Sequence, residues 1–562
     1  MRVRTYEALA VACQRQGVQV AFGLVGDGNV KFTHHLTSVL GVDYIATRHE
    51  SAAITMASGY ARAAGRTAFT TVTQGPGLTN ALTAVTAAAK ARLPMVVFAG
   101  LPPTGLPGHP QAIDQQALLA LAGALHQPLR PESLEADVAT AFALADAQRR
   151  PVGLFLATDV QDAPVRPGGS ISPSSISPNG EATAAATRGQ VTGPFDAVVG
   201  RLLVAERPIV LAGRGCLASD GSREALVDLA DRIGALLATT LPIRAFFVDH
   251  PYAVGVLGGY ATDLAVEEAE QADLVIAFGA SLNYRATRSG QLLREDAAIV
   301  QVDLDPTPQG ASIGVDLALT GDAATVARAL SEEVRTRPAP RATARSDDLA
   351  VRLRDGAVHR AYVDDSPDGR IHPRALMEAL EEVLPRERSV TVDGGHSSGF
   401  PSIHLSVPDH RGYLFALEFA AIGLGLGTAM GAAIARPDRL SVLVVGDGSL
   451  LMSLPDIETA ARHAIAVVIV VMNDHAYTSE LAILDNDGLP PDLGLLPTPS
   501  FEALGRSLGA DALTVRDAAD LADLPRRLAS LDGPLVIDAQ IDPEVRGPWL
   551  RGAFNRSLAV RP

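Results

Sequence analysis

The chain has 562 residues, which is more than one hydrophobic core normally supports, so we expect about three domains of ordinary size. Its formal net charge of −16 argues against broad binding to nucleic acid or to an anionic membrane, because both need a local excess of Lys and Arg. Two cysteines cannot make a disulfide framework, and no apolar run reaches membrane-spanning length, so we expect a cytoplasmic protein with a small-molecule substrate.

Two segments rich in Pro, Ser, Gly and Ala, at 163–193 and 335–348, have the composition of linkers. They divide the chain into three blocks. We therefore expect domains at 1–165, 190–335 and 365–545, followed by a C-terminal tail at 546–562.

Within each block, short runs of Val, Ile and Leu alternate with longer amphipathic segments, which is typical of parallel sheets buried on both faces. The predicted strands, in chain order, are 20–26, 68–73, 95–100, 152–157, 208–213, 273–279, 298–305, 389–395, 441–448, 466–474 and 534–540. The predicted fold class is α/β, with three consecutive α/β domains built on parallel sheets.

Polar residues end two neighbouring strands of the third block. Asp447 lies in a Gly-Asp-Gly-Ser cluster, and Asn473 follows the next apolar run. Between them, 449–464 predicts a helix that starts near Ser453 and Asp456. Ligands of parallel sheets bind beyond the carboxyl ends of the strands, and oxygen ligands of this kind suit Mg²⁺ and a phosphate. Taken alone, the Gly-Asp-Gly cluster could instead be a tight turn, and the Asn-Asp pair could instead be a helix cap.

At this point the chain resembles the thiamine diphosphate-dependent enzymes, such as acetolactate synthase and pyruvate decarboxylase. The Gly-Asp-Gly triplet followed by Asn473, 26 residues after Asp447 (473 − 447), resembles the diphosphate-binding motif of that family. The resemblance covers the whole chain and implies a pyrimidine-binding domain, a central Rossmann-like domain and a diphosphate-binding domain, in that order. It also implies a homodimer or homotetramer with active sites at the subunit interface.

The same resemblance implies roles for third-block residues. The residues implied to hold Mg²⁺ are Asp447, Asn473 and, through its backbone carbonyl, His475. The implied contacts to thiamine diphosphate are Gly394, Gly395, His396, Ser397, Gly446, Gly448, Ser449 and Tyr477, with Ile422 as the bulky residue over which the cofactor bends. Asp474 stands where many relatives carry a second Asn, and this departs from the family pattern.

In the first block, Glu50 begins a predicted helix rich in small residues. Considered without any resemblance, Glu50 could simply be a surface residue that interacts favourably with the helix dipole. The resemblance implies that Glu50 hydrogen-bonds the cofactor's aminopyrimidine and promotes loss of the C2 proton of the thiazolium ring. The segment TQGPGLTNAL resembles the family's loop near the cofactor, with Gly75, Pro76, Gly77 and Asn80 shaping the turn.

Further acidic and amide residues bear on the substrate. The resemblance to pyruvate decarboxylase implies proton-handling roles for Asp27 and Glu480, with solvated turn acids as the alternative. The adjacent histidine pair of that subgroup is absent from 100–119, which holds His109 alone. Gln111 follows the acetolactate synthase pattern instead.

The middle block contains a strand, a glycine turn with Arg214 and a helix, which alone is a weak nucleotide signal. Relatives hold FAD or ADP in this domain or keep it as an empty scaffold, and all three outcomes remain open.

The predicted function is that of a thiamine diphosphate- and Mg²⁺-dependent C–C lyase or carboligase acting on a 2-oxo acid. One alternative is a 2-hydroxyacyl-CoA lyase. The alternative of another class is a nucleotide-binding oxidoreductase or regulatory subunit.

Overall fold

A computed structural model describes residues 3–106, 108–165, 190–305, 313–338, 341–356 and 358–550. The chain forms three six-stranded sheets. The first and third sheets belong to one compact unit, and the middle sheet belongs to another. No helix in the described ranges is long and apolar enough to cross a membrane. Most of the predicted linker at 163–193, part of that at 335–348 and most of the tail lie outside the described residues.

The first sheet has the order β2-β1-β3-β4-β6-β5, and its strands run parallel. Its strands are β1 Val20–Gly23, β2 Asp43–Ala46, β3 Ala68–Val72, β4 Met95–Leu101, β5 Leu125–Pro128 and β6 Pro151–Ala157. The helices are α1 Thr5–Arg15, α2 Val30–His34, α3 Glu50–Ala64, α4 Pro76–Asn80, α5 Leu82–Lys90, α6 Gln115–Leu121, α7 Leu134–Gln148 and α8 Thr158–Asp162, with a π-helical turn at His35–Val39.

The middle sheet is also parallel, with the order β12-β11-β10-β7-β8-β9. Its strands are β7 Pro208–Ala212, β8 Leu236–Thr239, β9 Ala253–Val256, β10 Leu274–Phe278, β11 Ala298–Asp303 and β12 Leu317–Thr320. The helices are α9 Phe195–Val204, α10 Ser222–Ile233, α11 Asp263–Gln271, α12 Tyr284–Thr287, α13 Ala323–Arg335 and α14 Asp347–Arg354, with 3₁₀ turns at Arg214–Ala218 and Leu241–Ile243.

The third sheet has the order β14-β13-β15-β16-β18-β17. Its strands are β13 Arg388–Val392, β14 Tyr413–Phe415, β15 Leu440–Gly446, β16 Val467–Asn473, β17 Asp511–Val515 and β18 Pro534–Gln540. The helices are α15 Pro373–Val383, α16 Gly399–His404, α17 Gly425–Ala435, α18 Asp447–Ser453, α19 Asp456–Arg462, α20 Thr478–Asn486, α21 Phe501–Ser507 and α22 Leu524–Ala529, with 3₁₀ turns at His396–Ser398, His410–Gly412, Pro491–Leu493 and Ala518–Leu521.

The apolar runs form the inner strands of these sheets. All seven residues of β16 are buried, as expected for a central strand covered by helices on both faces. The structure adds seven strands that the sequence analysis did not predict: β2, β5, β8, β9, β12, β14 and β17. Six of them are the edges of the three sheets.

The predicted helix at 449–464 is in fact two helices, α18 and α19, divided at Leu454 and Pro455. Pro455 precedes α19 and lacks a side chain that could cap it, and the buried Ser453 hydroxyl has no hydrogen-bond partner among the residues that the structure describes. Ser453 is therefore not the N-cap that the sequence predicted. The proline ends the first helix because it cannot continue the backbone hydrogen bonds.

Helices α3 and α17 cross in direct backbone contact and join the first and third sheets. Helix α3 ends at Gly65, which has a φ of +68°. A Cβ on Gly59 would overlap the carbonyl oxygen of Thr428, and one on Gly431 would overlap that of Met56. Residues of both helices and both sheets share a single apolar core. The first and third sheets therefore form one packed body.

The described part of the tail includes Trp549, which is 8% exposed. Its ring lies 6.0 Å from that of Tyr260, in the same compact unit.

Candidate functional site

The carboxyl ends of β15 and β16 bring the predicted metal-binding segments together. The two strands pair in parallel, with Gly446 opposite Met472. Asp447 and Asn473, each one residue further along, therefore lie at the same edge of the third sheet. This confirms the expected proximity of these two segments.

Asp447 is buried, with 1% of its surface exposed. Its Oδ1 accepts a hydrogen bond from the Gly448 N–H at 2.8 Å, whereas its Oδ2 has no partner in the described part of the chain. Burial, assisted by the negative charge of Asp474, raises the pKa of the carboxyl to about 7, and the N–H groups of His475 and Ala476 partly oppose the rise. A buried carboxyl with an unpaired oxygen and a neighbouring acid suits a bound cation.

Asn473 is also 1% exposed, but both ends of its amide have protein partners. Its Nδ2 donates to Asp538 at 2.9 Å, and its Oδ1 accepts from the Thr498 hydroxyl at 3.0 Å. The His475 carbonyl accepts the Leu496 N–H at 2.7 Å. Each of these two oxygens retains one lone pair for a metal, whereas the Asp447 Oδ2 accepts no hydrogen bond of normal geometry within the described ranges, although the His475 and Ala476 N–H groups act on the carboxyl.

Asp474 is the acid that the sequence analysis treated only as a departure from the family pattern. It is 9% exposed and accepts from the Thr478 hydroxyl at 2.5 Å. Its carboxylate lies 3.6 Å from the Nδ1 of His396, one of the predicted diphosphate contacts. The sequence did contain a sign that Asp474 belongs to the site, because a carboxylate occupies the position at which many members of the family have a neutral Asn.

The glycines around Asp447 pack against other predicted cofactor residues. A Cβ on Gly446 would lie 3.4 Å from the Ser397 hydroxyl, and one on Gly448 would overlap the Tyr477 ring. The Ser397 hydroxyl is buried and has no hydrogen-bond partner among the described residues. Ser449, in the first turn of α18, is buried nearby in the chain. Among the described residues the cluster thus holds an unpaired hydroxyl donor packed against Gly446 and an unpaired carboxylate oxygen on the following residue, which suits a diphosphate held through a metal ion.

Ile422 lies against a second loop of the same sheet. A Cβ on Gly394 would be 2.8 Å from the Ile422 side chain, and Gly395 has a φ of +94°. Fully buried Asp393 accepts the N–H groups of Gly423, at 3.2 Å, and Gly425, at 2.8 Å. Burial raises its pKa to about 6. Asp393, which the sequence analysis missed, fixes the loop that carries Ile422.

Glu50 is a buried residue, 7% exposed, at the first position of α3. The alternative of a surface glutamate is therefore wrong. Its Oε2 accepts from the Asn80 amide at 3.0 Å, and a Cβ on Gly77 would be 3.6 Å from its Oε1. The structure thus brings Glu50 together with two members of the predicted Gly-Pro-Gly loop.

Gly75, at the start of that loop, requires glycine for two reasons. Its φ is +60°, and a Cβ would overlap the carbonyl oxygen of Gln111. Its N–H donates to the buried Gln115 amide at 2.7 Å, and Pro76 then opens α4. Gln115 also donates to the Gly100 carbonyl at 3.0 Å, so it ties the loop to the end of β4. Gln115 was not among the predicted site residues.

The residues predicted to face the substrate lie at the carboxyl edge of the first sheet. The Thr73 hydroxyl is 3.1 Å from a carboxylate oxygen of exposed Asp27. Gln74 donates to Gln111 at 2.8 Å. The Nδ1 of half-buried His109 accepts the Gln111 N–H at 3.2 Å. Asp27, Gln111 and His109 are therefore linked through Thr73 and Gln74.

Glu480 is exposed, in the first turn of α20. No hydrogen bond or ion pair of its carboxylate occurs within the described ranges. The structure does not join it to Asp27, with which the sequence analysis paired it in function.

In the glycine turn of the middle sheet, the N–H groups of both glycines donate hydrogen bonds to backbone carbonyls. Gly213 donates to the Phe278 carbonyl at 2.8 Å, and Gly215 donates to the Gly279 carbonyl at 2.9 Å. A 3₁₀ turn rather than an α-helix follows. The N–H groups of these two glycines are therefore not free to bind the phosphates of FAD or ADP.

The described residues contain no group of three or more His, Cys, Asp or Glu side chains placed to hold a metal. A cation at Asp447 would accordingly take its remaining ligands from neutral oxygens and from a phosphate, as Mg²⁺ commonly does.

Three family models match this chain along its length. They are described as thiamine pyrophosphate enzyme, N-terminal TPP binding domain, at residues 3–118, central domain, at 195–330, and C-terminal TPP binding domain, at 393–539. The chain belongs to the thiamine pyrophosphate enzyme family, thiamine pyrophosphate being another name for thiamine diphosphate. This confirms the resemblance and, together with the three sheets, the predicted α/β fold class.

Curated relatives carry acetolactate synthase names. A probable acetolactate synthase large subunit of Methanocaldococcus jannaschii is 27% identical over 99% of this chain and 95% of the relative. A putative acetolactate synthase large subunit of Mycobacterium tuberculosis is 29% identical over 96% of this chain and 98% of the relative. The acetolactate synthase isozyme 3 large subunit of Escherichia coli is 27% identical over 82% of this chain and 80% of the relative.

Proposed function

We propose that the chain is a thiamine diphosphate- and Mg²⁺-dependent enzyme that breaks or forms the C–C bond next to the carbonyl of a 2-oxo acid, as an acetolactate synthase does. The observation that carries this proposal is the buried Asp447 carboxyl, which is influenced by the charge of Asp474 and whose Oδ2 accepts no hydrogen bond within the described ranges. Family membership and the names of the relatives support it.

In the third sheet, Asp447 would bind Mg²⁺ through its free oxygen, with Asp474 adding negative charge close by. Asn473 and the His475 carbonyl supply neutral oxygens. Ser397 and the cradle of Gly395, Gly446 and Gly448 would receive the diphosphate, with His396, Ser449, Tyr477 and Ile422 around it. When bound, thiamine diphosphate would supply a nucleophilic ring carbon for the carbonyl and a cationic thiazolium ring as the sink for the electron pair of the broken C–C bond.

In the first sheet, buried Glu50 would hold a proton against the aminopyrimidine ring. Its apolar surroundings and the Asn80 amide keep it oriented, and the turn formed by Gly75 and Pro76 closes that side of the site. Asp27, Gln111 and His109 would face the substrate, with Glu480 as a further acid for proton transfer. Gln111, linked to the first sheet, favours an acetolactate synthase-like reaction.

The proposal extends to the organisation of the protein. We place the domain boundaries at 1–165, 190–335 and 365–545, with a tail at 546–562. We propose a cytoplasmic homodimer or homotetramer with active sites between subunits, and a middle domain that acts as a scaffold without FAD or ADP. The occupied N–H groups of Gly213 and Gly215 support the last point.

Calorimetry with thiamine diphosphate and Mg²⁺ tests the cofactor assignment. The wild type should bind the pair together and should bind thiamine diphosphate weakly when Mg²⁺ is removed with a chelator. No binding under either condition would contradict the proposal and would favour the nucleotide-binding alternative.

Exchange of the C2 proton of the bound cofactor, followed by NMR in heavy water, tests Glu50. Glu50→Gln should slow the exchange by orders of magnitude, because an amide cannot hold and return the proton. Glu135→Gln is the matched control, since Glu135 also lies in the first turn of a helix but is 63% exposed. Equal exchange rates in the wild type and Glu50→Gln would show that the role is misassigned.

A panel of substrates separates the remaining readings. Release of CO₂ from pyruvate with formation of acetolactate supports the proposal, and release with acetaldehyde as the main product would make the protein a decarboxylase. Cleavage of a 2-hydroxyacyl-CoA with no release of CO₂ from 2-oxo acids would assign it to the lyases instead.

A further inference from the structure

Gln74 is a fully buried amide at the carboxyl end of β3, a position to which the proposed function gives no role. Two glycines leave space for its side chain. A Cβ on Gly28 would overlap its amide oxygen, and a Cβ on Gly100 would lie 2.8 Å from the same atom. Three loops of the first sheet therefore meet at this amide.

The hydrogen bonds of Thr73 set the direction of the Gln74 amide. The Thr73 oxygen accepts the Gly28 N–H at 3.3 Å, which leaves the hydroxyl proton available for donation. The Gln74 Oε1 lies 3.0 Å from this hydroxyl and shares its proton with a carboxylate oxygen of Asp27, which lies 3.1 Å from the hydroxyl. The Gln74 nitrogen then faces the other way and donates to Gln111 at 2.8 Å.

That bond in turn sets the direction of the Gln111 amide. Because its Oε1 accepts from Gln74, its NH₂ group faces away from Gln74. Nothing in the described part of the chain accepts a hydrogen bond from this nitrogen, and the Gln111 side chain is only half-buried. The two N–H donors of Gln111 are thus directed away from Gln74, in the same loop as His109.

We propose that Gln74 is a positioning residue that fixes Gln111 as a hydrogen-bond donor to a substrate oxygen of the 2-oxo acid. This inference rests on the proposed function for the identity of the ligand. A side-chain amide without an anchor presents its oxygen as readily as its nitrogen, and an amide oxygen facing a carboxylate or a keto oxygen repels it. Gln74 removes this ambiguity from outside the substrate pocket.

The test uses the change from amide to carboxylate. In Gln74→Glu, assayed at a pH high enough to ionise the buried carboxyl, both terminal oxygens are acceptors, so one can take the Thr73 proton and the other can be paired only if the Gln111 amide turns and donates to it. The Gln111 oxygen then faces the substrate. Loss of one donor bond and its replacement by a repulsive oxygen should raise KM for pyruvate roughly tenfold, with unchanged affinity for thiamine diphosphate and Mg²⁺.

A second variant guards against misfolding caused by the buried charge. Gln74→Met keeps the length of the side chain and removes both hydrogen bonds, so Gln111 can take either orientation. Half of the molecules then present the donor, and KM should rise by about twofold, with kcat unchanged. Gln301→Met is the control, because Gln301 is a buried amide of the middle sheet that donates to the Ala280 carbonyl at 2.9 Å. It should leave KM as it is.

Neutron diffraction from deuterated crystals reads the orientation without depending on activity. The side-chain deuterons of Gln111 should face away from residue 74 in the wild type and toward it in Gln74→Glu. Deuterons that face Gln74 in the wild type would overturn the inference, as would equal KM values in all four proteins. A wild type that leaves pyruvate untouched would contradict the proposed function and the substrate part of the inference, while the deuteron positions would still decide the role of Gln74.

Discussion

Asp456, the first residue of α19, is expected to oppose folding at neutral pH. It is 5% exposed, and its Oδ1 has no hydrogen-bond partner in the described part of the chain. Burial raises its pKa from 3.8 to about 7, with no charged group contributing. The substitution Asp456→Asn keeps the shape of the side chain and removes its ionisable carboxyl group.

The sign of the effect follows from proton binding. Between pH 4 and pH 7 the folded protein holds a proton on Asp456 that the unfolded chain has lost, so this residue makes stability fall as the pH rises. A shift of about 3 pKa units corresponds to at most about 4 kcal/mol, reached above pH 7. Asp456→Asn should therefore match the wild type near pH 4 and exceed it by at least about 1 kcal/mol at pH 8.

The assay is thermal unfolding of the cofactor-free protein at several pH values from 5 to 8. The difference in Tm between the variant and the wild type should grow with pH, by roughly 2 °C for each kcal/mol. Asp438→Asn is the control, since exposed Asp438 pairs with Arg436 and its pKa is lowered to about 2. Its contribution is constant over this range. A constant Tm difference for Asp456→Asn, or a less stable variant at pH 8, would refute the reasoning.

Other predictions concern the two sites. Asp447→Asn should abolish Mg²⁺-dependent binding of thiamine diphosphate in calorimetry without lowering the Tm of the cofactor-free protein at pH 8, and retained binding would place the anchor elsewhere. Asp474→Asn removes a like charge, so the pH of half-maximal cofactor binding should move down, and an unchanged midpoint would contradict the coupling. Asn473→Ala removes two buried hydrogen bonds, one to Asp538 and one from Thr498, and should cost about 1–3 kcal/mol of stability in denaturant titrations; a loss of binding alone would show that the amide acts only as a ligand. Gly28→Ala should displace Gln74 and raise KM for pyruvate in steady-state assays, and an unaltered KM would show that the loop adapts.

The inner strands were predictable because continuous burial leaves a continuous apolar run in the sequence. The edge strands were not. In β2 the first residue is exposed and the other three are half-buried, and β5 has the reverse pattern. An edge strand has neighbours on one side only, so it is short and carries polar residues, and its sequence does not differ from that of a loop.

The candidate site divides in the same way. Asp447 was predictable because a buried acid between glycines at a strand end is a local pattern. Asp393, Gln74 and Gln115 were not, because each acts through contacts with loops distant in the chain, and single buried amides or acids have no spacing by which to recognise them. Asp474 was visible in the sequence, but its proximity to Asp447 depends on how β15 and β16 pair.

The crossing of α3 and α17 also sets a constraint on synthesis of the protein. Helix α3 ends at Ala64 and α17 begins at Gly425, 361 residues later (425 − 64). At 5–20 residues per second, a ribosome makes the second helix roughly 20–70 s after the first. Throughout that interval the apolar face of α3 lacks its partner helix. The first domain is therefore synthesised early, but the packing of α3 can be completed only after α17 has been made.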